Sequence, residues 1–392
     1  MKDRIAFVVQ RYGLEVNGGA EYHCRILAEH LSGRYEVDIL TSCARDYMPW
    51  DNYYNEGYTV INDVNVYRFP VEKVRDGERV SELAAQMSHN KEYIEKEWIE
   101  EVGPYCPQLI HYVEVNEGVY KAIIFFGYSY YPTVVGLRLG LKRTILIPTA
   151  HDEANIYKEI YFQTFKAARA ILYNSEEEKQ FLTDVFHTGS KLSRLTCVGI
   201  EMPEAGSLRR MPEEYKQYDN YVIYVGRVCH GKNFNQLNQY FIKYKQKYNS
   251  DLKLLVIGRI NNGEKLIYHD DIVYCGFVSE EDKMALMQNA KFLIMPSEYE
   301  SLSLVILESM ALGRPVLVNG NCAVLKGQCI RSNAGLYYTN YAEFVRAMNY
   351  MLNSAEAYEQ MTKNGLEFVQ NNYSWEFVVR NVSSLIEEIG NS

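Results

Sequence analysis

Residues 292–318 read FLIMPSEYESLSLVILESMALGRPVLV. Phe292–Met295 and Pro315–Val318 are short, continuous apolar runs of the kind that buried strands make. Between them, Leu304–Leu312 has helical apolar spacing, and Ser303 stands ahead of it as a fair N-cap. Strand, helix and strand in that order form the unit from which parallel sheets are built. The same rhythm continues on both sides. Upstream, the spacing predicts strands at Tyr221–Val225, Leu252–Ile257 and Ile272–Cys275, with helices at Phe234–Tyr248 and Ser279–Asn289 between them. Downstream lie two more helices, Tyr341–Leu352 and Ser354–Gln370.

The first half repeats the pattern. Strands are expected at Ile5–Gln10, Glu36–Thr41, Ala122–Phe126, Thr144–Pro148 and Ala170–Asn174, and helices at Ala20–Leu31, Arg79–Glu101 and Glu176–Phe186. The fold class is therefore α/β, with two doubly wound, Rossmann-like domains facing a central cleft. The break falls near Gly199–Gln217, where Pro203, Gly206, Pro212 and a run of charges interrupt the alternation. The expected division is 1–200, then 201–373, with the amphipathic segment 374–392 packing back on the first domain. A length of 392 residues also favours two domains.

Composition excludes several classes. The chain carries 41 basic and 50 acidic side chains, net −9. Neither half is basic, which argues against a dedicated nucleic-acid surface. Eight cysteines are scattered with no CxxC pair, as expected for reduced thiols in a cytoplasmic protein. The N-terminal apolar run is too short for a signal peptide, and the apolar region Ala122–Ala150 is broken by Pro132, Arg138, Lys142 and Arg143, so it does not span a bilayer. Those three cations read first as a solvated turn and second as a small interfacial patch for peripheral membrane contact. The 34 tyrosines offer stacking faces and hydroxyls suited to carbohydrate, although composition alone also produces them.

Candidate chemistry lies just past the strands. In RYGLEVNGGAE (11–21), Gly18 and Gly19 precede a helix whose free N–H groups and dipole favour an anion. The pattern is not GxGxxG, and a βα loop without ligand reads equally well. In YVIYVGRVCHGK (221–232), Gly226 ends a strand, and Arg227 and Lys232 flank a turn where they either clamp a diphosphate or sit solvated. Gly258, ending the next strand, allows close backbone approach at the same rim. Glu300 and Glu308 are eight residues apart; a wholly helical step would leave them about 80° and about 12 Å apart. Glu300 is expected on the loop and Glu308 one turn into the helix, where both accept hydroxyl hydrogen bonds or merely favour the helix dipole. His151, in ILIPTAHDE (145–153), either contacts a substrate or is structural. No HxH, HExxH or DxD pattern completes a metal site.

Taken in order, GGAE, IPTAHDE, LYNSEEE, VGIE, VGR…K and PSEYESLSLVILESMALGRPVL resemble the retaining GT-B glycosyltransferases of family 4, the group 1 glycosyltransferases, with the last motif as their E-x7-E element. Leu302 and Ser303 replace the usual Phe-Gly, and Asn233 follows Lys232 in place of Gly. The resemblance implies that Arg227 and Lys232, helped by backbone at Gly18, Gly19 and Gly226, hold the diphosphate of a nucleotide sugar. It implies that Glu308 binds ribose hydroxyls and that Glu300 binds the transferred sugar together with backbone N–H groups of Ser303, Leu304 and Val305. His151 would contact the sugar and the reacting region. The base would lie near Cys275–Val278, against Phe277 and Val278.

The implied reaction is retaining transfer of a hexosyl or N-acetylhexosaminyl group from a UDP-sugar, or next GDP-mannose, to a hydroxyl of a glycan or lipid-linked acceptor in cell-surface polysaccharide synthesis. His151, Arg227, Lys232 and Glu300 would be the catalytic groups. Neither a cofactor nor a metal is expected, because cations and a helix end carry the charge on the departing phosphate. A catalytically silent nucleotide-sugar binder and an epimerase of the same architecture are the alternatives.

Overall fold

The first apolar run becomes β1 (Arg4–Val9), buried beyond its first residue. The computed structural model describes all residues except Met1, Asn17, 88–90, 196–197, 204–209, Asn249, Asn262, Lys265 and Ser392, and only the backbone at 91 and 92. The chain divides into two compact units, Met1–Gly199 with Trp375–Ser392, and Ile200–Ser374.

In the first unit β1 is joined by β2 (Glu36–Ser42), β3 (Gly57–Ile61), β4 (Val64–Phe69), β5 (Ala122–Phe126), β6 (Thr144–Ile147), β7 (Ala170–Tyr173) and β8 (Leu192–Leu195). Their order across the sheet is β3-β4-β2-β1-β5-β6-β7-β8, parallel except for the β3–β4 hairpin. Strand alternation sends Ala6, Val8, Ile123 and Phe125 to one face, and Ile5, Phe7, Val9, Ile124 and Phe126 to the other. Both faces are covered, which is why these strands read as continuous apolar runs. The helix Gly19–Leu31 and the C-terminal helix Trp375–Gly390 share one face through Leu27, Leu31, Val378, Val382, Leu385 and Ile386. Trp375 stacks on His30 at 3.5 Å between ring centroids, and Arg194 pairs with Glu388 at 2.8 Å.

The second unit has β9 (Tyr221–Val225), β10 (Lys253–Ile257), β11 (Ile272–Gly276), β12 (Leu293–Met295), β13 (Val316–Asn319) and β14 (Gly335–Tyr338), all parallel in the order β11-β10-β9-β12-β13-β14. From β9 the sheet first grows outward to β11, then resumes on the opposite side of β9 with β12. The loops after β9 and β12 therefore leave the sheet at its topological switch point, where open α/β sheets bind ligands. In the first unit, β1 and β5 stand in the same relation.

The helix expected over 79–101 is two helices, Gly77–Gln86 and Lys91–Val102. The residues between them include Ser88, His89 and Asn90, weak helix formers by type that lie outside the described residues. Among the described residues the seven cysteines are free, six of them buried and Cys275 half-buried. Cys197, and Gly206 of the expected interdomain break, lie outside the described residues. No helix among the described residues is long and apolar enough to cross a membrane.

Candidate functional site

The two loops at the second unit's switch point meet through an ion pair. The loop after β9 carries Gly226 and Arg227, then a 3-10 turn, His230–Lys232, closed by Asn233 in the left-handed region at φ +54. That turn brings Lys232 Nζ to 2.6 Å from Glu300 Oε1, on the loop after β12. The pair is mostly covered, with 25% and 14% of the two side chains exposed. Asn233 Nδ2 donates to Glu298 Oε1 at 3.2 Å and ties the loops a second time. Arg227 is exposed and makes no ion pair among the described residues, so its guanidinium is presented to solvent.

The rim owes its shape to two glycines. Gly226 N–H donates to Ile257 O at 2.9 Å, and Gly258 N–H donates to Gly276 O at 2.8 Å. At Gly258, φ is +142, and a Cβ there would fall well inside contact distance of the Gly226 carbonyl oxygen. This close approach sets Arg227 and Arg259 on adjoining loops, bridged by Val228 N–H to Arg259 O at 2.9 Å. Arg259 lies over the ring of Phe277 at 5.0 Å, and Phe277 is 64% exposed just beyond β11. Val278 beside it is half-buried. An exposed aromatic face backed by a guanidinium is a surface on which a flat ring can stack.

Glu308 sits one turn into the helix Leu304–Ala311, while Glu300 lies on the loop before it. Burial pushes the Glu308 carboxyl above the usual range, with Lys283 pulling against that shift. Lys283 Nζ lies 2.9 Å from Glu308 Oε2 and 2.6 Å from Glu280 Oε1. Ser303 occupies the N-cap position, but its side chain makes no capping hydrogen bond, contrary to the role its type predicts. Its carbonyl instead accepts from Ile306 and Leu307. The N–H groups of the first turn, at Leu304 and Val305, have no acceptor within the helix and are half-buried. Leu302 is buried, so the residue in place of the usual phenylalanine packs into the unit.

Gly18, Gly19 and His151 belong to the first unit. Gly19 opens its helix with nothing near where a Cβ would be. Gly18 departs from the unobstructed backbone expected there: its φ is an ordinary extended −178, and the space a Cβ would take is filled by the Glu21 carboxylate. Glu21 is itself held by Gln10 Nε2 at 2.9 Å and Arg11 Nη2 at 2.5 Å. The glycine requirement at Gly18 is therefore steric. His151 Nε2 lies 3.6 Å from Glu153 Oε2, and Glu153 also accepts a hydrogen bond from Tyr128 Oη. Burial pushes the Glu153 carboxyl up, but the hydrogen bonds from His151 and Tyr128 outweigh it, so the group lies below its ordinary range. Behind this loop, buried Glu178 accepts from the N–H groups of Ala150 at 2.5 Å and Asn174 at 2.6 Å, with burial raising its carboxyl to about 8.

The fold thus brings together, in the second unit, Arg227, Lys232 and Glu300 at the switch point, with Gly226, Gly258 and Phe277 along the same rim and Glu308 fixed by Lys283. Sequence reasoning missed Lys283, Arg259 and Tyr128, and it set Glu153 beside His151 only as a candidate cation ligand. Residues 209–368 match the family model described as glycosyl transferases group 1. An uncharacterised glycosyltransferase from Methanocaldococcus jannaschii is 25% identical over 96% of both chains. Over residues 209–368 the chain is similar to the group 1 glycosyltransferases. Solved structures agree on the fold. A sucrose-phosphate synthase from Thermosynechococcus elongatus superposes with a TM-score of 0.71 at 16% identity, covering 99% of each chain. The Anabaena protein HepE, in complex with UDP and glucose, gives 0.68 at 14% identity, covering 98% of this chain and all of the other. The architecture is GT-B.

Proposed function

We propose that this protein is a glycosyltransferase that takes a hexosyl or N-acetylhexosaminyl group from a nucleotide-diphosphate sugar, a UDP-sugar first, and transfers it with retention to a hydroxyl of a glycan or lipid-linked acceptor in cell-surface polysaccharide synthesis. The observation that supports this most directly is the cation pair at the switch point: exposed Arg227, with Lys232 bonded to Glu300 at 2.6 Å. As the donor bond breaks, positive charge builds on the anomeric carbon and negative charge on the departing phosphate. Arg227, Lys232 and the first-turn N–H groups at Leu304 and Val305 stabilise the latter. Glu300 accepts from sugar hydroxyls and Glu308 from the ribose. Phe277, with Val278 beside it, takes the base. In the first unit, Gly19, with nothing within 4 Å of where a Cβ would be, leaves its helix N-terminus open to an anion, and His151, set beside Glu153, contacts a sugar hydroxyl. The departing phosphate takes the proton of the attacking acceptor, so neither glutamate serves as a nucleophile and the paired-carboxylate scheme of glycosidases does not apply. Reduced cysteines favour a cytoplasmic setting.

Two experiments test this reading. Purified protein incubated with UDP-glucose, UDP-N-acetylglucosamine and GDP-mannose should slowly release free nucleoside diphosphate from at least one of them; a silent binder releases none. With a donor in hand, excess EDTA should leave the rate largely intact, because side-chain cations neutralise the leaving group. Complete loss restored by a divalent metal would overturn the metal-free assignment.

A further inference from the structure

Lys283 is the fourth residue of the helix Glu280–Asn289, directly after Glu280, Glu281 and Asp282. A cation this close to a helix N-terminus opposes the macrodipole, and its i,i+3 pair with the largely exposed Glu280 offsets that only weakly, so helix stability alone does not explain its position. What it reaches does. Its ammonium lies between Glu308 Oε2 at 2.9 Å and Glu280 Oε1 at 2.6 Å. Only 14% of the Lys283 side chain and 10% of the Glu308 side chain are exposed, against 63% of Glu280. The charged groups acting on Glu308 are Lys283, which favours its ionised form, and Glu280, which opposes it; its own helix supplies no acid in the first turn.

We propose that Lys283 is a positioning residue for the donor: it fixes Glu308 through Oε2 and keeps it an ionised acceptor for the vicinal hydroxyls of the nucleotide ribose. This deepens the donor-site reading and rests on the assignment of Glu308 to ribose. A carboxylate this deeply buried and stripped of its counter-charge takes up a proton. One of its oxygens then becomes a donor and the acceptor pair for a diol is lost. Raising the pH removes that proton again, so the defect left by losing Lys283 is largest in acid and recedes in base.

The test compares a nucleoside diphosphate with its 2′-deoxy counterpart. Dissociation constants of the full chain are measured by calorimetry for UDP, GDP and ADP, each against its 2′-deoxy form, at pH 6.5 and 8.5. In the wild type, the best-bound diphosphate should be preferred over its deoxy form at both pH values. Lys283→Met should cut that preference about tenfold at pH 6.5 and recover part of it at pH 8.5, while Lys283→Arg retains it. Glu308→Gln should abolish the preference at both. Should Lys283→Met melt below the assay temperature, Lys283→Gln is read in the same way. An ion pair serving stability alone would lower the melting temperature and leave ribose preference untouched in Lys283→Met or Lys283→Gln; that result overturns the proposal. Intact preference in Glu308→Gln, or no binding of any diphosphate by the wild type, instead overturns the donor-site reading beneath it.

Discussion

Alanine at Arg227 or at Lys232 should lower kcat/KM by about 30- to 1,000-fold, equivalent to about 2–4 kcal/mol of lost transition-state stabilisation. The two variants should differ in how that loss divides. Arg227 is exposed and makes no ion pair among the described residues, so its removal deletes positive charge and strands no partner. Its effect should fall mainly on kcat, because the charge it meets grows as the phosphate departs. Lys232 also neutralises Glu300, whose side chain is only 14% exposed. Its removal leaves a nearly covered carboxylate beside the place proposed for a diphosphate, so KM should rise as well as kcat fall. Steady-state kinetics with a confirmed donor decide the matter. Normal turnover in both variants would remove the diphosphate clamp from the mechanism.

The second unit's sheet was largely legible because its strands are buried on both faces, and the apolar runs at 221–225, 253–257 and 293–295 stand out against amphipathic helices. The β3–β4 hairpin was not legible for the opposite reason. Gly57–Ile61 is an edge strand exposed along nearly its whole length, and it carries no apolar run. The signal that could have revealed it is Asn62-Asp63, both with positive φ (+48 and +62), a two-residue loop between short β-branched stretches. Strands β8 and β14 were missed on similar grounds, since their residues are mostly half-buried. At the site, Arg227, Lys232 and Glu300 could be singled out because short motifs place them on loops past strand ends, and Glu308 because the last of those motifs runs on into the helix that carries it. Lys283 and Arg259 could not. Lys283 lies twenty-five residues before its partner on a helix full of acids, and Arg259 gains meaning only from the exposed ring of Phe277 across the rim. Glu21 misled in another way: the sequence shows an open glycine pair, whereas the fold sets a carboxylate against one of the two.

Gly258→Ala should destabilise the second unit by about 3 kcal/mol or more, combining a side chain forced into positive φ with overpacking against a neighbouring backbone. For a unit of this size that corresponds to a fall in melting temperature of roughly 6–12 °C. The obstacle is the Gly226 carbonyl oxygen, with Arg227 N 3.5 Å from the added Cβ. Neither atom belongs to a flexible side chain that can swing aside, so β9 and β10 must part at their carboxyl ends. Parting them disturbs the Gly226 N–H to Ile257 O and Val228 N–H to Arg259 O bonds, and with them the loops that carry both arginines. Gly231, on the adjoining loop that carries Arg227, provides the contrast. A Cβ there meets nothing within 4 Å, so Gly231→Ala should change stability by no more than about 0.5 kcal/mol. Thermal melts of the two variants beside the wild type test the pair together. If Gly258→Ala melts with Gly231→Ala, the two strands do not approach this closely in solution, and the rim on which Arg227 is presented must be held by some other contact.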